Sequence, residues 1–287
     1  MRISQGIEDR SGTPILTTLF NDLALAERLE AVEAFTAEAY VRRLAQTQPG
    51  VDFAVEEVAG GRAVFAGAGS PLSETKAAGL NGPVTDADLD RMEAIFFSRG
   101  EPSRVVVCPL ADPTLFEGLA RRGYRLSHFE NILAMRLAAT DGESSATPGI
   151  LVRQVGPDEG ELYARVVAPN FAEPGEPADL IMEMAITMLA IEGCASFLAS
   201  IQGEPVGGGS VIIHRGLALF AGAGTLPPFR NRGVHAALHH ARLAHSRRSG
   251  CDLAAQGAAP GSTSQRNAER RGLRVAYTRA LLVREPA

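Results

Sequence analysis

Across residues 23–45 apolar side chains fall three and four apart among Ala, Leu and Glu, which predicts one long helix. The spacing then changes. Residues 51–58 alternate with period two, Gly60-Gly61 breaks the run and residues 62–66 resume it, a hairpin pattern. Residues 67–82 are rich in Gly and Ser and read as a mobile loop. Helical spacing returns over 86–98 behind Thr85 as N-cap, and a short apolar strand follows at 104–108. Further on, residue 150 opens a strand to 155, helices are predicted at 157–167 and 180–191, and the Pro- and Glu-rich stretch 170–179 lies between those helices. Three strands come next, at 195–202, 206–213 and 217–224, joined by turns at Gly203-Glu204 and His214-Arg215-Gly216. Residues 233–249 form a helix with Val234, Ala237, Leu238, Ala241 and Ala244 on one face. A strand at 253–256, a helix at 264–271 and a strand at 275–283 close the chain. A meander that changes into a strand–helix–strand unit is an α+β pattern.

The chain also repeats itself. Arg121, Arg122, Gly123 and Arg125 recur 149 residues later as Arg270, Arg271, Gly272 and Arg274. In both places a polar helix ends at a glycine, as a left-handed C-cap requires, and an apolar strand follows. The order of elements upstream matches as well, and the polar, turn-forming stretch 139–148 separates two halves, 1–138 and 149–287. Composition narrows the picture. A formal charge of −5 and the lack of a basic stripe argue against nucleic-acid binding. No apolar run is long enough for a bilayer, and the first eight residues show no signal pattern. Three widely spaced cysteines suit a reduced, cytoplasmic protein better than a disulfide framework. Lys76 is the one lysine among the 28 basic residues, which says little about function.

The informative segment is T-L-P-P-F-R-N-R-G-V-H, Thr225 to His235. A strand ends, two prolines stop sheet pairing, and a helix begins at Gly233. A helix start offers free N–H groups and partial positive charge to an anion. Gly233 lets phosphate oxygens approach the backbone, and Arg230 and Arg232 add charge-assisted bonds. This stretch resembles the R-x-x-G-x-(G/A) pyrophosphate signature of the GNAT N-acetyltransferases, with His235 where that family has Gly or Ala. The V-G-G-G-S-V strand from Val206 and the R-R-G-L-R close from Arg270 extend the resemblance over about 150–284.

The resemblance implies two tandem GNAT-like domains, each a mixed, mostly antiparallel sheet flanked by helices. It implies acetyl-CoA as cosubstrate, no metal, and acetyl transfer to a primary amine of a small molecule or peptide. With the charge and hydropathy readings, the expected partners include no nucleic acid and no membrane, and the expected state is a monomer or homodimer. Cofactor contacts fall on Thr225, Leu226, Arg230, Asn231, Arg232, Gly233, Val234, His235, Ser264 and Asn267. An N–H near Thr225 or Leu226 would polarise the thioester carbonyl. The family's tyrosine acid falls on Ala268, which leaves Tyr277, on the next strand, as an acid or a core aromatic. Glu173 and Glu183, with Glu176 and Asp179 nearby, stand where that family shapes its acceptor pocket, and any of them could orient a water or be merely solvated. In the first half the signature falls on Asn81 to Asp86, without arginines and with Pro83 lacking an N–H, so that copy reads as a remnant. The rival reading is a non-catalytic acyl-CoA-binding or interaction module. His235 and His239, four apart, read as a solvated helical face rather than a zinc site, because a third ligand is missing. Gly207-Gly208-Gly209 reads as a bulge or a close sheet approach.

Overall fold

The computed structural model describes residues 19–138, 147–171 and 178–286, so most of the 139–148 linker lies outside the described residues. In the first half, α1 (Leu23–Thr47) precedes β1 (Ala54–Val58), β2 (Gly61–Phe65), β3 (Glu74–Lys76), α2 (Asp86–Phe97), β4 (Ser103–Val107), α3 (Pro113–Arg121) and β5 (Arg125–Arg136). The second half contains β6 (Ile150–Gln154), α4 (Gly160–Val167), α5 (Ala178–Leu189), β7 (Cys194–Ile201), β8 (Glu204–His214) and β9 (Leu217–Thr225). It ends with α6 (Val234–Arg248), β10 (Leu253–Ala258), α7 (Thr263–Glu269) and β11 (Arg274–Arg284). One stretch departs from the sequence expectation. Residues 67–82 contain β3, which pairs with β2 and runs parallel to β4, and Ser73 and Thr75 are fully buried. Three residues are too few to show a period, so the strand is invisible in the pattern.

The described strands form a single sheet in the order β1-β2-β3-β4-β11-β5-β10-β9-β8-β7-β6. Each half ends on a strand that pairs within the other half. β11 lies on β4, β5 lies on β10, and β5 and β11 run antiparallel at the centre. This register exposes the duplication. Glu130 pairs with Arg279, its own counterpart 149 residues on, and Asn131↔Thr278 and Phe129↔Ala280 are images of one another about that pair. Even the irregularities match. Ser127 is the extra residue of one bulge and Ala276 of the other, again 149 apart. A pseudo-twofold axis therefore passes between Glu130 and Arg279.

Helices cover both faces of this sheet. α1 packs across both halves, burying Leu25, Leu29, Val32 and Val41 against Val64, Ile132, Ile212 and Leu219. α2 and α3 cover the opposite face of the first half, over Ala63, Phe65, Val105 and Val107. α6 covers the second half on that same side, over Phe197, Ala199, Val211 and Phe220. At the axis, Arg279 is 3% exposed and bonds Glu130 (2.6 Å) and Glu30 of α1 (3.1 Å). Glu33 lies 3.5 Å from the same guanidinium and 3.6 Å from Lys76 Nζ. Burial pushes the Glu30 carboxyl up, whereas Glu33, between Arg279 and Lys76, is held below the usual range despite its burial.

Candidate functional site

β9 organises the site. It pairs with parallel β10 only from Leu217↔Leu253 to Leu219↔Ala255, and beyond that point the strands part. On its other edge it stays on β8, with a bulge that sets Gly222 and Ala223 against Gly209. Gly222 is left-handed there, with φ 56°, a conformation that suits glycine. The glycine run on β8 is a close approach as well as a bulge. A Cβ on Gly207 would lie 2.5 Å from Val234 Cγ1, and one on Gly208 would lie 2.6 Å from Val167 Cγ2.

The Leu226 N–H donates to the Val206 carbonyl (2.9 Å), so this amide, expected near the thioester, is engaged by β8. The alternation of an antiparallel ladder then directs the N–H of Thr225, opposite Gly207, away from β8 and toward the gap left by β10. After Thr225 a short 3-10 turn at Pro227–Phe229 carries the chain to Arg230, and Asn231 and Gly233 both take left-handed backbone, with φ 61° and 87°. Gly233 caps α6 without a side-chain cap. The first helical bond runs from Ala237 N–H to the Gly233 carbonyl, which leaves the amides of Val234, His235 and Ala236 without helical partners.

The remaining expected residues are distributed unevenly. Arg230 is exposed and donates to the Thr225 carbonyl (3.2 Å) and to Asn170 Oδ1 (3.3 Å). Arg232 lies over the Phe229 ring at 5.4 Å, and Val234 is buried against β8. On α7, Ser262 is the N-cap, Ser264 accepts from Gln256 Nε2 (2.9 Å), and Asn267 is half-buried. Tyr277 is not at the site. It is buried beneath α1, its hydroxyl donates to Glu30 Oε1 (2.8 Å), and its pKa is raised by burial and by that carboxylate. Glu183 is exposed on α5 and bonded by Gln48, and Glu173 and Glu176 lie outside the described residues. Ala268, where the family's acid falls, is buried.

Three groups emerge that sequence reasoning passed over. Tyr163 of α4 bonds Ser210 Oγ (2.7 Å) and the Gly222 carbonyl (3.4 Å), bracing the β9 bulge, and burial pushes its hydroxyl up to about 12. Arg242 and Arg271 form a cationic neighbourhood with the α6 histidines. The expectation of a solvated histidine face is corrected, because His239 is 1% exposed and His235 is half-buried. Burial, then Arg242 and Arg271, pull His235 down to about 4 and His239 to about 2. The signal lay in the repeat, since Asp86, Asp90 and Glu93 become His235, His239 and Arg242 at the same offset.

The first half closes its equivalent helix start. Thr85 and Asp88 form a reciprocal capping box on α2, so Thr85 Oγ1 already accepts an N–H that an anion would take. Asp86, paired with Arg121 and Arg122, adds negative charge there. Among the described residues no group of three or more His, Cys, Asp or Glu side chains is arranged to hold a metal, and no helix is long and apolar enough to cross a membrane.

A sheet split between parallel strands, with a bulge on one of them and a glycine-opened helix after it, is the fold of the GCN5-related N-acetyltransferases. This chain has that fold, in tandem. A GCN5-related N-acetyltransferase from Kribbella flavida superposes over 92% of this chain and 96% of its own, with TM-score 0.64 and 18% identity. A tandem GNAT protein from the clavulanic acid biosynthesis pathway matches 91% of this chain and 94% of its own, at TM-score 0.60 and 16% identity. A GCN5-related N-acetyltransferase from Sphaerobacter thermophilus matches 92% and 93%, at 0.52 and 18%. No family model and no curated protein sequence matches the chain.

Proposed function

We propose that this protein transfers an acyl group, acetyl in the simplest case, from acyl-CoA to a primary amine, and that its second half alone binds the coenzyme. The halves are divided as 1–138 and 149–287 around a linker at 139–148. The observation that carries the reading is the contrast between two helix starts. α6 opens on a left-handed glycine with no side-chain cap, next to the gap between β9 and β10, whereas α2 is closed by its own capping box.

Acyl-CoA supplies an activated thioester. The amides of Val234, His235 and Ala236 would hold its diphosphate at the positive end of α6, with Arg230 and Arg232 as counter-charges. The gap beyond Leu219 and Ala255 would admit the pantetheine arm. The Thr225 N–H, a fixed donor, would bond the thioester oxygen as negative charge develops on it during attack by the amine. Bracing of the bulge by Tyr163 keeps this donor in place. Ser264 and Asn267 on α7 would border the arm from the far side of the gap.

One observation favours a non-catalytic acyl-CoA-binding module as the second reading. The position of the family's acid is a buried alanine, and Tyr277 is sequestered with Glu30. Calorimetry with acetyl-CoA followed by thiol release with an amine panel separates the two, because binding without turnover selects the module. Arg230→Ala should weaken acetyl-CoA by about 1–3 kcal/mol, the loss of a charged hydrogen bond. Unchanged affinity removes Arg230 from the site.

A further inference from the structure

The two halves treat one surface in opposite ways. On α2, Asp86, Asp90 and Glu93 lie along one face, and all three reach Arg122, at 3.7, 2.7 and 2.9 Å. On α6 the positions 149 residues later are His235, His239 and Arg242, and Arg122 becomes Arg271. Three carboxylates have been replaced by two imidazoles and a guanidinium, while the facing arginine keeps its sign.

The cluster that results has no carboxylate among the described residues. Arg242 is 1% exposed, bonds the Leu238 and Ser210 carbonyls (3.3 Å each) and lies 4.7 Å over the Phe220 ring. His239 Nε2, His235 Nδ1 and Arg271 Nε are all buried without a hydrogen-bond partner. Leaving such groups unpaired away from water is costly, and the first half avoids that cost with its own acids. The cluster also lies beside the reaction centre. A Cβ on Gly209, the residue opposite the Gly222–Ala223 bulge, would be 3.4 Å from Arg242 Cζ. The cluster therefore lies on the α6 side of the sheet at the bulge, next to the acyl end of a ligand whose thioester meets the Thr225 amide.

We propose that His235, His239, Arg242 and Arg271 receive a carboxylate at the end of the acyl chain of the acyl-CoA. The proposal rests on the acyl-CoA reading and deepens it by giving the ligand a second anionic group, beyond the diphosphate at Gly233.

Calorimetry on the full chain compares succinyl-CoA with acetyl-CoA, and acetyl-CoA with its dephospho form. The wild type should favour succinyl-CoA over acetyl-CoA by about ten- to a hundredfold, the loss expected for a charged hydrogen bond. A preference confined to the second pair assigns the cluster to the ribose phosphate and overturns the proposal. Arg242→Met and the half-buried Arg271→Gln should each abolish that preference while retaining the weaker ligand, and Arg271→Gln answers the question if Arg242→Met fails to fold. No preference for succinyl-CoA, or a preference that survives both substitutions, overturns the proposal. A parallel melt in succinate or phosphate against chloride at equal ionic strength needs no coenzyme. Stabilisation that disappears in Arg271→Gln supports the anion site even if acyl-CoA does not bind, and no stabilisation of the wild type counts against it.

Discussion

Burial, rather than residue type, sets the behaviour of the α6 histidines. A histidine whose proton affinity is depressed by folding stays neutral in the native state while the unfolded chain protonates near the ordinary value of about 6.5. Below that pH the unfolded state binds more protons, so stability falls on acidification, over a window reaching down to about 4 for His235 and about 2 for His239. Above it neither residue contributes. Within the window the slope approaches about 1.4 kcal/mol per pH unit for each histidine. Urea unfolding between about pH 7 and about pH 5 should show this decline, and His239→Phe should make it shallower. An unchanged slope in that variant contradicts the assignment. At this scale the sequence was legible where the requirement is local. Gly233 and the prolines before it announced a sharp turn into a helix, and the turn is there with φ 87°. Tyr277 was legible only as one of two alternatives, acid or core aromatic, because the carboxylate that sequesters it, Glu30, is 247 residues away in the chain.

Among the elements, the exchanged strands β5 and β11 and the helix that clamps them matter most. Arg279 bonds Glu30, Glu33 and Glu130 together, and Glu30 is fully buried. Arg279→Ala would leave buried Glu30 and half-buried Glu33 beside each other with Lys76 as their remaining counter-charge. Loss of about 3–5 kcal/mol is expected, as for removal of one partner from a buried ion pair. Denaturant unfolding checks it, and a loss below about 1 kcal/mol, the range of an exposed pair, would mean that the network is solvated. Most elements could be read from period and punctuation, since helices such as α1 and α6 carry their burial pattern in their own residues. The three-residue β3 carries too little pattern, and the partner of any strand is a non-local fact. The R-R-G-x-R repeat did point to two equivalent strands after two equivalent turns, but only the register shows that Glu130 faces its own counterpart.

The whole molecule is divided in sequence and interlocked in space. Each half contributes the closing strand of the other, and α1 packs against both. Neither half should therefore fold alone, and the two should assemble when produced together. Fragments 1–138 and 147–287, expressed separately, are expected to lack cooperative thermal transitions, whereas co-expression should yield a complex with near-native circular dichroism. Two independently stable fragments would contradict the exchange. The first half has a structural role in either case, because α1, β4 and β5 complete the scaffold that holds β10 and β11, and with them the gap beside β9, whether or not the first helix start binds anything.

A crystal structure of the full chain with acetyl-CoA would show where the coenzyme sits. One coenzyme per chain is expected, its diphosphate against the amides of Val234, His235 and Ala236, its arm between β9 and β10, and its thioester oxygen near the Thr225 N–H. A diphosphate at the start of α2, or a coenzyme bound away from the β9–β10 gap, would contradict it.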